Sequence, residues 1–102
     1  MNWLSLLLCF VAGALLGNAV PHLANGMSGR CFQTPFSKPH GPGKSSPVVN
    51  VLWGSLNLAA GFVLFSVVSD AGTVRAIVLA AAGALIMAVF NAWQFGRFNS
   101  DS

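Results

Sequence analysis

Three long apolar blocks decide what this chain can become. They run from Trp3 to about Val20, from Val48 to Val68 and from about Val74 to Phe95. A bilayer hydrocarbon core of roughly 30 Å needs about 20 helical residues to cross it. The first two blocks hold no charged residue, and Arg75 stands at the very start of the third, where its side chain can reach the interface. Within a bilayer every backbone N–H and C=O must be bonded internally, which leaves helices and closed barrels. Block length and the Ala, Leu and Gly content select helices, since a spanning strand would alternate over about ten residues. Composition agrees: 55% of the 102 residues are hydrophobic and 7% charged, against about 25% charged in an ordinary soluble domain. So few charges cannot solubilise a chain this apolar. The sequence therefore predicts one integral membrane domain, residues 1–102, all-α, with three transmembrane helices.

The two connections differ in kind. Only Ser69-Asp70-Ala71-Gly72 joins the second and third spans, which predicts a tight antiparallel hairpin with Asp70 or Thr73 capping the third helix. The other connection, residues 21–47, holds all five prolines, four glycines and four serines. That composition argues against a long regular helix and predicts that the first span stops at Pro21-His22. The segment is either mobile or laid compactly on the membrane. Phe32 and Phe36, beside Arg30 and Lys38, favour the docked form, with the two rings as membrane anchors.

With three spans, the long loop and the C-terminus share a side. That side carries Arg30, Lys38, Lys44 and Arg97 against Asp101, whereas the other side has Asp70 and Arg75. The positive-inside rule then places the N-terminus outside and residues 21–47 and the C-terminus in the cytoplasm. Trp3 marks one interface, and Trp53 and Trp93 mark the other. A competing reading takes residues 1–19 as a signal peptide, because Gly17 and Ala19 stand three and one residues before the cut. Met1-Asn2 lacks the basic side chain such a segment needs.

Helix association in lipid depends on close backbone approach and on interhelical hydrogen bonds. Ser5, Cys9, Gly13 and Gly17 recur every fourth residue in the first span. Ala76, Ala80, Ala84, Ala88, Ala92 and Gly96 do the same in the third. In the second, Asn50, Gly54, Asn57 and Gly61 share one face. These are the candidate packing residues. The two carboxamides either bond across helices or line a solvated path.

Catalytic chemistry is poorly supplied. The chain has no Glu and no Tyr, and its two acids, Asp70 and Asp101, fall on opposite sides of the membrane. Gly41-Pro42-Gly43-Lys44-Ser45 ends like a phosphate-binding loop, but Lys38 stands where that pattern needs its first Gly, and no βαβ unit can surround it. His22, Cys31 and His40 are spaced nine and nine apart, which matches no zinc pattern, and His22 is expected to cap free carbonyls at the end of the first helix. Cys9 and Cys31 lie too far apart to pair. No catalytic, cofactor or metal site is expected, and five basic residues are too few for nucleic-acid binding. Nor does an ionisable residue stand inside a span, as coupled transport usually requires.

Gly17-Asn18, Pro21-His22, Asn25-Gly26, Gly29, Thr34-Pro35-Phe36, Ser46-Pro47-Val48 and Asn50-Val51-Leu52-Trp53-Gly54 together resemble a group of small uncharacterised bacterial membrane proteins. They share a pattern of roughly PHxxNGxxGxxFxTPFxxP followed by SSPxVNVLWGxxN. The resemblance covers about residues 17 to 57. It implies a bacterial inner-membrane protein and a loop shaped by Asn25-Gly26 and Thr34-Pro35-Phe36. It carries no activity with it.

Two functions follow as expectations. One is a structural or accessory membrane protein that packs with itself or with a larger membrane complex. The other is a small oligomeric channel or carrier with the Asn50/Asn57 face along its path. Membrane lipids are expected partners of either.

Overall fold

The computed structural model describes residues 2–68 and 70–99. Its helices are α1 (Trp3–Met27), α2 (Pro47–Ser66) and α3 (Val74–Gly96). All three are long and apolar enough to span a membrane. The molecule measures 42 × 23 × 21 Å, so its long axis matches a bilayer of about 40–45 Å including headgroups. Ser69 of the short connection and Asp101 of the C-terminal charge count lie outside the described residues.

Each helix opens on a side-chain cap. Asn2 accepts from the Ser5 amide at 2.9 Å, Ser46 from Val49 at 3.2 Å ahead of Pro47, and Thr73 from Ala76 at 3.2 Å. An oxygen at this position satisfies one of the free amides of the first turn. Of the two candidates for α3, Thr73 supplies the side chain, and the Asp70 carbonyl accepts from the Thr73 amide at 3.2 Å.

The end of α1 corrects the sequence reading. The helix does not stop at Pro21-His22 but runs on to Met27. Proline inside a helix costs about 3 kcal/mol, because its missing N–H leaves the carbonyl four residues back without a partner. Packing beyond Pro21 offsets that cost. Leu23 lies against Gly54, and Gly26 lies against Pro47 and Val51. The helix ends one turn later in a Schellman arrangement: Gly29, at φ +78, donates to Gly26 at 3.0 Å, and Arg30 donates to Asn25 at 2.8 Å. Asn25 and Gly26 are thus the last turn of a helix rather than a loop turn.

The order of packing is also different from the expected tight hairpin. α1 packs closely on both other helices along its length, while no Cα of α2 comes within 8 Å of one in α3. Four connecting residues hold two helix ends together but do not set the angle at which the helices diverge. Close to that connection Val68, Cys9 and Ala76 are buried together, and Leu8, Phe65, Ala71 and Leu79 surround them.

Outside, the surface is large and aliphatic. Leu52, Leu56, Phe62, Val63, Ile77, Val78, Leu85 and Ile86 are all exposed. These side chains suit contact with acyl chains.

Candidate functional site

α1 meets its two neighbours through different faces. Towards α3 the contact is backbone on backbone: a Cβ added to Gly13 would sit 1.8 Å from the Ala80 carbonyl oxygen, and one on Gly83 would sit 2.0 Å from that of Phe10. Gly17 faces Ala84 in the same way, at 2.9 Å. Towards α2, Gly61 lies against Leu16 and Ala12, and Gly54 against Leu23. The structure therefore brings Gly13 and Gly17 to Ala80 and Ala84. It takes Gly54 and Gly61 to other partners on α1. Cys9 is buried, Ser5 is half-buried, and Ala88 is exposed in a groove of about 550 Å³ between α1 and α3.

One layer nearer the C-terminal end of α1, carboxamides take over. Asn18 donates to Asn57 Oδ1 at 3.1 Å and accepts from Asn91 Nδ2 at 3.0 Å, so one side chain joins all three helices. Asn57 Nδ2 then donates to the Trp53 carbonyl at 2.9 Å. Asn57 is 4% exposed and Asn50 is fully buried. Neither faces a path through the bundle, because their polar atoms are bonded inside the chain.

Above that layer sits the cap, residues 28–46. Asn50 fastens it. Its amide nitrogen donates to the carbonyls of Phe32, Ser45 and Ser46 at 3.0, 3.2 and 3.1 Å, and its oxygen lies 2.8 Å from His22 Nδ1. His22 is therefore not a helix-end cap; it stands within α1, 2% exposed, fixing the residue that fixes the loop. Phe32 and Ser45 exchange backbone hydrogen bonds at 3.2 and 2.8 Å, forming a single antiparallel bridge. The hydroxyls of Thr34, Ser37 and Ser45 bond to one another beneath it. Gln33 and Asn99 pair through both amide groups, at 3.0 and 2.9 Å, tying the cap to the end of α3.

Phe32 turns inward against protein, while Phe36 packs one side on Trp53 and stays exposed. The Phe32 ring lies 4.6 Å from Phe95 and 5.6 Å, edge-on, from His22, while Phe36 meets Trp53 at 5.0 Å. This replaces the expected use of Phe32 as a membrane anchor. Aromatic pairs of this geometry add about 0.5–1.5 kcal/mol beyond their buried area.

Helices and cap line a half-open cleft of about 290 Å³ on the Asn18/His22 side of α1. α2 contributes Trp53, α3 contributes Met87, Phe90, Asn91, Gln94 and Phe95, and the cap contributes Gln33, Thr34, Pro35, His40 and Gly41. No Lys, Arg, Asp or Glu lines it. His22 and His40 share the cavity, but Cys31 is not among its lining residues, and no three His, Cys, Asp or Glu side chains gather anywhere among the described residues. Trp53 Nε1 is buried without a hydrogen-bond partner. Asn18, Asn91 and Gln33 escaped the sequence reading as site residues. The first two could have been found as isolated carboxamides in apolar spans, which in lipid require a partner. Gln33 carries no comparable signal.

Comparison with known protein families, with curated proteins and with solved structures finds no match to this chain.

Proposed function

We propose that this small multi-pass membrane protein is an accessory subunit of a bacterial inner membrane, docking on a larger membrane complex through its basic capped end. Its N-terminus lies outside, and its cap and C-terminus lie in the cytoplasm. The observation that carries the reading is the fixed attachment of the cap. A segment without helix or sheet of its own is pinned by a fully buried Asn50 and by the Gln33–Asn99 pair. Its cations, Arg30, Lys38 and Lys44, remain exposed, with no acid in residues 28–46 to neutralise them. Arg97 adds a fourth at the same end, its guanidinium 4.5 Å from the Trp93 ring. Charges on a rigid frame favour recognition of an acidic surface, because little order is lost on binding.

The glycine faces that motivated self-association are used within one chain, which favours a partner met at the cap over a homo-oligomer. The buried, bonded state of Asn50 and Asn57 leaves the channel reading without its lining.

The test is extraction of tagged protein directly into native lipid discs, followed by mass spectrometry. The expected result is a membrane protein at fixed stoichiometry, lost from the triple variant Arg30→Glu, Lys38→Glu, Lys44→Glu while its helical circular dichroism is unchanged. A partnerless monomer, a pure homo-oligomer, or a partner retained by the triple variant would overturn the reading. Orientation is checked separately. Cys31 is exposed and Cys9 is buried, so a membrane-impermeant maleimide should label this chain only after the inner membrane is opened.

A further inference from the structure

The groove between α1 and α3 has a depth that selects its occupant. It opens near the middle of both helices, at Gly17 and Ala84, and runs to Phe95 and to Phe32 of the cap. From Ala84 to Phe95 the helix rises about 16 Å, at 1.5 Å per residue. That is about half of a hydrocarbon core of roughly 30 Å, the depth of one leaflet. The groove holds about 550 Å³, and Ala88 and Ala92 leave it open because each carries only a methyl group. Asn91 is its one polar side chain, and the Asn91 amide nitrogen is already bonded to Asn18. Walls of this kind suit an alkyl chain.

Charge marks the same end of the groove. Arg30 is tied down on α1: its Nε donates to Asn25 Oδ1 at 2.9 Å, and Asn25 Nδ2 donates to the Pro21 carbonyl at 2.7 Å. Pro21 lines the groove, so this chain of bonds holds a guanidinium about one helical turn beyond it. Arg30 is exposed, and its two terminal nitrogens have no partner among the described residues. No acid stands in residues 28–46 to neutralise it. Guanidinium N–H donors match the oxygens of a phosphate, and basic sites between membrane helices recruit anionic head groups. A phospholipid carries both parts in this order, a tail in the hydrocarbon and a phosphate at its edge.

We propose that the α1–α3 groove binds one anionic phospholipid of the cap-side leaflet, with an acyl chain along Ala84, Ala88 and Ala92 and the phosphate on Arg30. The site lies within a single chain, so it stands or falls separately from the protein partner proposed above. A second copy laid along the same wall is the competing occupant, and the mass of the complex tells the two apart.

The full chain, purified and delipidated in detergent, is titrated with palmitoyl-oleoyl phosphatidylglycerol. Phosphatidylcholine with the same tails is the zwitterionic control, and bound lipid is counted by native mass spectrometry. The expected result is one phosphatidylglycerol per chain, with a half-saturation at least tenfold below that of phosphatidylcholine. Ala88→Phe, which fills the groove from an exposed position, should raise that half-saturation at least tenfold. Ala92→Leu narrows the same wall and gives an independent reading if the larger ring disturbs helical circular dichroism. Val89→Phe, exposed but outside the groove, should change binding less than about twofold. Arg30→Gln should abolish the preference for phosphatidylglycerol, whereas Lys44→Gln, an equal loss of charge elsewhere on the cap, should preserve it. No preference between the two lipids, unchanged binding by both groove variants or by Arg30→Gln, an equal loss from Val89→Phe or Lys44→Gln, or a dimer in place of the lipid complex would overturn the proposal.

Discussion

The two ends of α1 are held by different means. From Phe10 to Gly17 the helix is gripped by shape, with Gly13 and Gly83 letting backbones touch where any Cβ would collide. From Asn18 to Gly26 hydrogen bonds are added to the close approach at Gly26 and Gly54, through Asn18, His22 and their partners Asn57, Asn91 and Asn50. The difference follows from the surroundings. Lipid gives apolar helices little reason to associate, so the first half relies on close approach. The second half must also hold a cap whose backbone has almost no regular structure, and the Asn50 amide ties it to α2 by donating to the carbonyls of Phe32, Ser45 and Ser46, which also accept from backbone amides. Shape is strict about volume and indifferent to polarity. A hydrogen-bonded layer is the reverse.

Substitutions can break that contrast at either end. The largest effect is expected from Gly13→Leu, which must drive α1 from α3; a disulfide trap between cysteines introduced on those two helices should no longer form. Gly13→Ala should lose on the order of 3 kcal/mol in steric-trap unfolding, because the neighbour is backbone and cannot rotate away. Asn50→Leu comes next. It removes the side-chain amide that ties Phe32, Ser45 and Ser46 to α2 and leaves buried His22 without its Asn50 partner, and an unpaired buried group costs roughly 1–3 kcal/mol. Hydrogen exchange at the Phe32 and Ser45 amides should rise at least a hundredfold while the mid-helix amides of α2 stay protected. If α2 loosens equally, the two halves are not separate in the way described.

Asn18→Leu should cost about 1–4 kcal/mol, the sum of two contacts of roughly 0.6–2 kcal/mol each. Combined with Asn57→Leu it should cost less than the two single changes added together, since they share a bond. Strict additivity in the double-mutant cycle would mean that the Asn57–Asn18 bond contributes nothing. The smallest effect belongs to Asn99→Ala, about 0.5 kcal/mol, which sharpens the comparison by isolating the cap's attachment to α3 from its attachment to α2.

The spans and the starts of α2 and α3 were legible because Ser46-Pro47 and Thr73 are local signals beside apolar runs. The end of α1 was not. Pro21 is a strong local breaker, and only contacts with Gly54, Pro47 and Val51, distant in sequence, outweigh it. The true stop, Gly29, was present but masked by the earlier proline. The central place of α1 was likewise hidden, since a four-residue link implies neighbouring ends and says nothing of splay. Of the site, Asn50 and Asn57 were visible as carboxamides in an apolar span, yet their bonding to loop carbonyls and to Asn18 depends on a register between helices that no periodicity reveals. The cavity, formed by three helices and a loop together, had no sequence signature of its own.

The middle position of α1 has a consequence for how the protein is made. Ribosomes deliver α1, then the cap, then α2, and every bond that fastens the cap to α2 and to His22 exists before α3 has been synthesised. An early membrane intermediate of two helices and a nearly finished cap is thus already self-consistent. α3 joins it last, sliding onto the free glycine face of α1 and closing the Gln33–Asn99 latch. Because the backbones of α2 and α3 stay apart while each lies along α1, a break in the peptide chain between them would leave both helices with their main docking partner, and the protein should reassemble from two separately expressed pieces.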